Sequence, residues 1–225
     1  REAASAFRGT PNMSSQPRAI VYIDGFNLYY GLLRRTPHRW LDLSAFARTL
    51  LPAYDIVLVR YFTARLKPLP WDATGHYRQG AYLEALKSLP DVSVHLGEFR
   101  SNVVRRPLAD STRVPPDTVA VVDTKEKGSD VNLASYLLLD GFRDCYDIAV
   151  VVSNDSDLLE PVRMVREELG RKVHIVFTRR ERRGSVFEGR VDHITRHVNT
   201  SVLQKSQLPD TVRLEGRTVR KPREW

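Results

Sequence analysis

Four aspartates share one kind of position in the sequence, because each stands between a strand-like apolar stretch and the helical pattern that follows it. They are Asp24, Asp130, Asp155 and Asp157. Asp24 comes directly after the stretch 19–23, and Asn27 stands three residues further on. In an open parallel sheet, ligands bind outside the carboxyl ends of the strands. We therefore expect these carboxylates to gather at one edge of a sheet.

Each of these aspartates also has a local structural explanation. Asp-Gly after a strand, as at Asp24, is common turn chemistry. Asp155 and Asp157 precede a helical stretch, where Ser and Asp are preferred N-caps and an acidic first turn complements the helix dipole. Ser129 can cap a helix in the same way before Asp130. Capping alone does not predict aspartate at all three junctions, and two carboxylates in one short turn repel each other unless a cation is present.

Clustered carboxylates are the donor set that Mg²⁺ or Mn²⁺ prefers, with water molecules completing the octahedron. Zinc favours histidine or cysteine, whereas the six histidines show no ligand spacing and Cys145 is the single cysteine of the sequence. With one or two divalent ions, such a site activates water for cleavage of a phosphodiester bond. The predicted metal ligands are Asp24, Asp130, Asp155 and Asp157. In this hypothesis Asn27 orients a ligand water or a phosphate, and Lys127 bridges carboxylates or meets the scissile phosphate.

Apolar and amphipathic stretches alternate along the sequence, which is the pattern of a parallel sheet covered by helices. The predicted strands are residues 19–23, 56–62, 92–96, 118–122, 148–152 and 173–177. The predicted helices are residues 26–34, 43–50, 76–88, 130–142 and 158–169. Several of the strands are apolar on both faces, as buried parallel strands are. The predicted fold class is α/β, a three-layer sandwich with a central, mostly parallel sheet flanked by helices.

The composition suits one α/β domain with a sizeable core, since the 225 residues are 42% hydrophobic and 28% charged. The longest apolar runs fall far short of the roughly 18 residues that a membrane span requires, so we predict no membrane partner. A single cysteine excludes an intramolecular disulfide framework and indicates a reducing, cytoplasmic compartment. The net charge of +8 favours a polyanionic partner.

Three segments are predicted along the chain. We interpret residues 1–12 as a remnant of expression, with the native sequence beginning at Met13. Residues 13–178 form the α/β domain. Residues 179–225 contain twelve Arg and Lys against six Asp and Glu, and so supply +6 of the net charge. We expect this segment to be a basic C-terminal extension that packs on or beside the domain.

Basic side chains outside the predicted core are candidate contacts for nucleic acid. Residues 99–117 are rich in Arg and Pro and do not fit the strand–helix alternation, so we predict a long functional loop there. The candidate RNA-binding residues are Arg105, Arg106, Arg180, Arg182 and Arg183. A solvated surface explains the same charges, and both interpretations remain open.

Three segments, taken in order, resemble the signatures of the NYN domain family. They are Tyr22-Ile23-Asp24-Gly25-Phe26-Asn27-Leu28, Lys127-Gly128-Ser129-Asp130-Val131 and Ser153-Asn154-Asp155-Ser156-Asp157. The resemblance covers residues 19–178. The third signature more usually reads Ser-Gly-Asp-Ser-Asp-Phe, so Asn154 stands in place of Gly and Leu158 in place of Phe. Both changes spare the carboxylates.

The resemblance implies a PIN-like fold and a metal-dependent ribonuclease. The family's acidic residues fall on Asp24, Asp130, Asp155 and Asp157, and its polar companion falls on Asn27. We expect a cytoplasmic endoribonuclease that hydrolyses single-stranded RNA with Mg²⁺ or Mn²⁺, and a homodimer is left open. One alternative is a catalytically silent RNA-binding or regulatory module that keeps the acidic pocket. A less favoured alternative is a metabolic redox enzyme on the same fold.

Aromatic side chains near the first junction offer a surface on which bases can stack. They are Tyr29, Tyr30, Trp40, Tyr61 and Phe62. At helical spacing, Phe26, Tyr29, Tyr30 and Leu33 form one apolar face. We therefore expect most of these rings to belong to the core.

Overall fold

The computed structural model describes residues 16–68, 72–179 and 184–225, and shows a central sheet of seven strands with helices on both faces. The strands of the sheet are β1 (Arg18–Asp24), β2 (Asp55–Ala64), β3 (Val92–Pro107), β4 (Thr118–Lys127), β5 (Ile148–Val152), β6 (Lys172–Val176) and β7 (His193–Thr195). A separate hairpin consists of β8 (Thr211–Leu214) and β9 (Arg217–Arg220). The interpretation of residues 1–12 and of Met13 lies outside the described residues.

Six α-helices connect or follow the strands in the described ranges. They are α1 (Gly25–Leu28), α2 (Leu43–Leu50), α3 (Gly75–Leu86), α4 (Ser129–Phe142), α5 (Leu159–Glu167) and α6 (Thr200–Lys205). A π-helical turn, Tyr29–Leu33, continues α1, and a 3₁₀ turn, Ser156–Leu158, precedes α5. Across the described part of the chain, no helix has the length and apolarity that crossing a membrane would require.

The strand order of the sheet is β4-β3-β2-β1-β5-β6-β7. All neighbours are parallel except β3 and β4. The chain builds one half of the sheet outward from β1 through β2 and β3, and then builds the other half through β5, β6 and β7. The order reverses between β1 and β5, which leaves a crevice at the carboxyl ends of these two strands. The predicted fold class, an α/β sandwich with a mostly parallel central sheet, is confirmed.

The central strand β1 is buried on both faces. Successive side chains of a strand point to opposite sides, so Val21 and Ile23 pack into the core beneath α2 and α3 while Ile20 and Tyr22 pack beneath α4 and α5. Each of these side chains is at most 2% exposed. Burial from both sides fixes the position of the residue that ends β1, which is Asp24.

The predicted loop at residues 99–117 is wrong over residues 99–107, because strand β3 continues to Pro107, whereas residues 108–117 connect β3 to β4 without regular structure. The first part of β3 pairs with β2, from Val92 to Gly97. The remainder pairs antiparallel with β4, from Glu98 opposite Lys127 to Pro107 opposite Thr118. This two-stranded extension, residues 98–127, is hereafter the arm. Most of its side chains are exposed, so its sequence lacks the apolar alternation by which strands are recognised.

A buried ion pair joins α4 to the sheet. The guanidinium of Arg60 donates two hydrogen bonds to the Asp140 carboxylate, at 2.6 and 2.8 Å, and the Tyr22 hydroxyl donates a third at 2.8 Å. The Arg60 guanidinium also lies over the Tyr136 ring, 4.5 Å from its centre. Burial and the neighbouring Arg60 charge lower the pKa of His95 to about 4, so this imidazole is neutral at pH 7. The buried Asp140 carboxylate therefore has Arg60 as its counter-ion and accepts three hydrogen bonds.

We predict that Asp140→Ala lowers the free energy of unfolding by about 3 kcal/mol, because it leaves the Arg60 side chain, which is 16% exposed, without its counter-ion. Chemical denaturation at pH 7 measures the change. The matched control is Asp210→Ala, whose carboxylate lies 4.0 Å from the Lys221 ammonium but is 88% exposed. That control should cost at most about 1 kcal/mol. Equal losses in the two variants would contradict the assignment of Asp140 as the anchor of α4.

Candidate functional site

Asp24 is a buried carboxylate, 4% exposed, at the carboxyl end of the central strand. Its Oδ1 accepts a hydrogen bond from the backbone N–H of Asn27 at 2.9 Å, which caps the N-terminus of α1. Its Oδ2 accepts hydrogen bonds from the Asn27 side-chain amide and from the Ser153 hydroxyl, the latter at 3.1 Å. A Cβ on Gly25 would lie 2.7 Å from the Phe62 carbonyl oxygen, so only glycine permits α1 to begin this close to β2.

Ser153 connects the two strands that border the crevice. It is 1% exposed and follows β5 directly, whereas its acceptor Asp24 ends β1. The same Ser153 oxygen accepts the backbone N–H of Asp155 at 3.0 Å. One hydroxyl therefore joins the ends of β1 and β5 and also starts the turn that carries the next two aspartates.

Asn154 fixes the loop that follows β6. Its Oδ1 accepts hydrogen bonds from the Thr178 backbone N–H and hydroxyl, both at 2.8 Å, and from the Arg179 N–H at 3.1 Å. Its own N–H donates to Oδ1 of Asn27 at 3.3 Å. A glycine at this position, the more usual residue of the signature, has no side chain to make the first three bonds. The substitution gives the floor of the crevice an additional connection to β6.

Asp155 and Asp157 differ in exposure and in role. Asp155 is partly buried and caps the 3₁₀ turn, because its Oδ1 accepts the Asp157 N–H at 3.0 Å. Asp157 is exposed in the first turn of that helix. The capping interpretation is therefore correct for Asp155, while the Asp157 side chain is left to face solvent beside it.

Asp130 lies at the same edge of the sheet because the antiparallel strand β4 leads to it, and this pairing was not predicted. The sequence interpretation treated 118–122 as one of several strands of a mostly parallel sheet, but β4 is antiparallel to β3. The arm extends past the carboxyl edge, and β4 returns to that edge at Lys127, opposite Glu98. Gly128 then turns the chain with φ +95°, a left-handed conformation that favours glycine, and α4 begins at Ser129. Asp130 lies in its first turn.

The charges of these carboxylates act on one another. Burial raises the pKa of Asp24, and the negative charge of Asp155 raises it further, while the donors from Asn27 and Ser153 act in the opposite direction. Burial, followed by the charges of neighbouring carboxylates, raises the pKa of Asp130 to about 6. Those neighbours are Asp24, Asp155, Glu126 and Asp157. The structure therefore gathers all four predicted aspartates into one electrostatically coupled group.

The carboxylates of this group do not by themselves form a complete coordination shell for a metal ion. In residues 16–68, 72–179 and 184–225, no three His, Cys, Asp or Glu side chains are arranged as ligands of one ion. The hydrogen bonds explain this, since oxygens of Asp24 and Asp155 point at the N–H and O–H groups that they cap or accept from.

The donor set nevertheless fits a hydrated Mg²⁺ or Mn²⁺. Mg²⁺ is usually bound through one or two carboxylates and keeps several waters, so three direct protein ligands are not required. The repulsion that raises the pKa of Asp130 is the kind that a cation relieves. The buried Ser129 hydroxyl beside Asp130 also has no hydrogen-bond partner among the described residues, and a metal-bound water would supply one.

The other predicted site residues lie at the border of this group or beyond it. Lys127 is exposed at the end of β4. Arg105 and Arg106 lie on the arm, about seven residues and therefore about 23 Å from its base. Both are engaged within the arm, Arg105 with Thr118 and Arg106 with the Asp123 carboxylate at 2.8 Å. Arg180, Arg182 and Arg183 lie outside the described residues.

The rings proposed for base stacking divide into two groups. Trp40 and Phe62 are fully buried and Tyr61 is 7% exposed, so these three belong to the core, as expected for most of the set. Tyr29 and Tyr30 face an open cleft instead, and Tyr30 is 53% exposed.

Sequence reasoning assigned no role to Glu126, Ser153 and Thr178. Glu126 adds a fifth negative charge near Asp130, and its Oε1 accepts the Ser129 N–H at 3.0 Å. Its signal in the sequence was its place three residues before the predicted N-cap, inside an already suspected junction. Ser153 stood within the third signature. Nothing local marked Thr178, because its contact with Asn154 spans 24 positions.

Three similarities to known proteins bear on this site. The model of the NYN domain matches residues 18–197. The 6-hydroxy-3-succinoylpyridine 3-monooxygenase HspA of Pseudomonas putida is 29% identical over 241 aligned residues, covering 95% of this chain and 77% of that protein. A crystal structure of a protein of unknown function from Vibrio parahaemolyticus superposes with a TM-score of 0.52 at 16% identity, covering 82% of this chain and 94% of that one.

The family match includes every element that carries a gathered carboxylate, from β1 with Asp24 to the turn after β5. It continues past residue 178 and takes in β7, which pairs with β6 as the last strand of the main sheet. The solved structure supports the fold alone. On the extent of the family match and the presence of all three signatures in order, the chain belongs to the NYN domain family.

Proposed function

We propose that this protein is a metal-dependent nuclease that hydrolyses phosphodiester bonds of single-stranded RNA. The observation that carries the proposal is the electrostatic coupling of Asp24, Asp130, Asp155 and Asp157 at the point where the strand order reverses. Such a crevice is where open α/β sheets bind ligands. Membership of the NYN family adds support, because the family's signatures are the segments that hold these residues.

Mg²⁺ or Mn²⁺ would be held by oxygens of Asp24, Asp130, Asp155 and Asp157, with Glu126 adding negative charge. A divalent ion at such a site lowers the pKa of bound water and polarises a phosphoryl oxygen.

Asn27 and Lys127 have different roles at the crevice. Both ends of the Asn27 amide are already used, one by Asp24 and the other by the Asn154 N–H. Asn27 therefore acts as a positioning residue for the carboxylate rather than as a direct contact to phosphate. Lys127 is exposed at the base of the arm and is available to a substrate phosphate. The arginines of the arm would contact the strand several nucleotides away.

A second candidate rests on the relative from Pseudomonas putida, whose name describes a monooxygenase acting on a substituted pyridine. Its similarity covers 95% of the chain, whereas the family match ends at residue 197. The C-terminal segment is therefore shared as well as the domain. On this alternative the same fold oxidises a small aromatic compound, with O₂ and an external electron donor as co-reactants.

We predict that the protein cleaves a fluorophore-labelled single-stranded RNA with Mn²⁺ and that EDTA abolishes the cleavage. Asp24→Asn should lower the rate at least about 100-fold, because the buried carboxylate at the centre of the group is lost. Asp210→Asn is the matched control, since its carboxylate is 88% exposed and its residue directly precedes β8, outside the family match. Circular dichroism verifies that both variants fold.

Chelator-sensitive cleavage that survives in Asp24→Asn would refute the assignment of this site. O₂ uptake, measured with 6-hydroxy-3-succinoylpyridine and a reduced nicotinamide or flavin, distinguishes the second candidate. Uptake without RNA cleavage would replace the nuclease proposal by that alternative.

We predict that Asp130→Asn raises the melting temperature at pH 7.5. The folded-state pKa of Asp130, about 6, exceeds its ordinary value of 3.8, so the ionised form destabilises the fold above pH 6. The gain should shrink as the pH falls through 6 towards 4, because the carboxyl becomes protonated in the folded state, and it should vanish below 3.8, where the carboxyl is protonated in both states. Mn²⁺ should stabilise the wild type more than the variant. A gain that does not vary with pH, or one that Asp110→Asn on the exposed arm reproduces, would contradict the electrostatic origin.

We predict that Arg105→Gln combined with Arg106→Gln weakens RNA binding and reduces its dependence on salt. Each lost phosphate contact lowers the slope of log affinity against log salt by about 0.7, so the pair should lower it by up to about 1.4. Fluorescence anisotropy with a labelled single strand measures the slope. Arg163→Gln on α5, where Arg163 pairs with Glu160 and Glu167, is the control and should leave it unchanged. An unaltered slope in the double variant would mean that the arm is a solvated surface and makes no phosphate contact through Arg105 and Arg106.

A further inference from the structure

A cleft of about 380 Å³ opens beside Asp24 on the side of the sheet covered by α3. It lies between α1 with its π-helical turn, the end of β2, α3 and the C-terminal residue Trp225. Gly25 and Tyr61 line the cleft at the end nearest Asp24. Tyr61 also marks the proximity, because burial and then the charge of Asp24 raise the pKa of its hydroxyl. The volume is that of a small-molecule site.

Aromatic rings form two walls of the cleft. Phe26 and Tyr30 are stacked on one wall, with ring centres 6.5 Å apart. Tyr82 and Trp225 form the other, with ring centres 5.7 Å apart. Tyr30 is 53% exposed, so its ring remains accessible to a ligand. A cleft lined by aromatic rings favours a planar aromatic ligand.

Three arginine side chains line the same cleft and bring positive charge to it. Arg34 lies over the Tyr30 ring, 5.3 Å from its centre. Arg39 donates from Nη1 to the Glu224 carbonyl oxygen at 3.1 Å, but its Nε is buried and has no hydrogen-bond partner among the described residues. The third arginine, Arg78, is already neutralised by both oxygens of Asp72. Neither Arg34 nor Arg39 has a carboxylate partner among the described residues, so both supply positive charge at the cleft with which an anionic oxygen would pair.

We propose that this cleft is a binding site for a planar aromatic group that carries a negative charge, with the ring between the aromatic walls and the anion at Arg39 and Arg34. Two sources have this chemistry, a nucleoside 5′-monophosphate and a free aromatic carboxylic acid. The proposal does not depend on the proposed nuclease activity, because it concerns binding alone. Gly25, the residue after Asp24, lines the cleft, so the cleft borders the carboxylate group.

Isothermal titration calorimetry on the full chain tests the proposal with four probes. Adenosine 5′-monophosphate and pyridine-3-carboxylate combine a ring with a charge, adenosine supplies the ring alone, and ribose 5-phosphate supplies the charge alone. At least one of the first two should bind at one site per chain, and at least about tenfold more tightly than both of the others. Whichever of the two binds more tightly identifies the source.

Variants connect the binding to this cleft. Arg39→Gln should raise the dissociation constant at least about tenfold, and Tyr30→Leu, at a half-exposed position, should raise it as well without unfolding the chain. Arg35→Gln changes an exposed arginine that is adjacent to Arg34 but does not line the cleft, and should leave the dissociation constant unchanged. Asp24→Asn should retain binding, so loss of nuclease activity and loss of binding are separable. Absence of binding by both charged aromatic probes, or equal affinities in wild type and Arg39→Gln, would overturn the proposal.

Discussion

The buried carboxylate of Asp24 is the group on which the arrangement of the crevice depends. A charge that is 4% exposed is unfavourable unless it accepts hydrogen bonds. Its donors come from Asn27 at the start of α1 and from Ser153 at the end of β5. The bonds that satisfy the charge therefore also join the two strands at the switch point and set the direction of α1. Asn154 extends the same network to the loop after β6.

Helix α4 runs from this crevice along the face of the sheet that carries Tyr22 and Arg60. Its first turn carries Asp130, whose charge is opposed by its neighbours, and ten residues later, about 15 Å along the axis, it carries Asp140, whose charge is neutralised by Arg60. The favourable pair at one end holds the helix against β1 and β2. Because this pair anchors α4, the first turn of the helix can hold Asp130 where burial and neighbouring charges raise its pKa. Raised carboxyl pKa values are common where a protein binds a cation or a substrate.

Two chemistries can use the same scaffold, because a fold does not by itself specify a reaction. The family match concerns the elements that carry the carboxylates, whereas the similarity to the monooxygenase takes in most of the chain. The C-terminal segment contributes Trp225 to the cleft beside Asp24. An acidic crevice therefore borders a cleft lined by aromatic and basic side chains, and we propose a cation for the first and an aromatic anion for the second.

The sequence by itself determined the elements whose burial is regular and the residues that end them. Strand β5 and helix α2 have the predicted bounds, since the first is a continuous apolar run and the second shows a clear apolar stripe. The positions of the four aspartates followed from those elements. Residues 118–122 were predicted as a strand, but the extension of β3 and its antiparallel pairing with β4 were missed, because these exposed strands are stabilised by pairing with each other rather than by an apolar face.

Only the tertiary structure decided which side chains meet. The contact of Asn154 with Thr178, the hydrogen bond between Ser153 and Asp24, and the closing of the cleft by Trp225 all join residues far apart in the sequence. Local periodicity indicates which face of an element is buried, but not which partner covers it. The partners are selected by packing and by the requirement that buried polar groups find donors and acceptors, and both conditions are met only when the whole sheet is assembled.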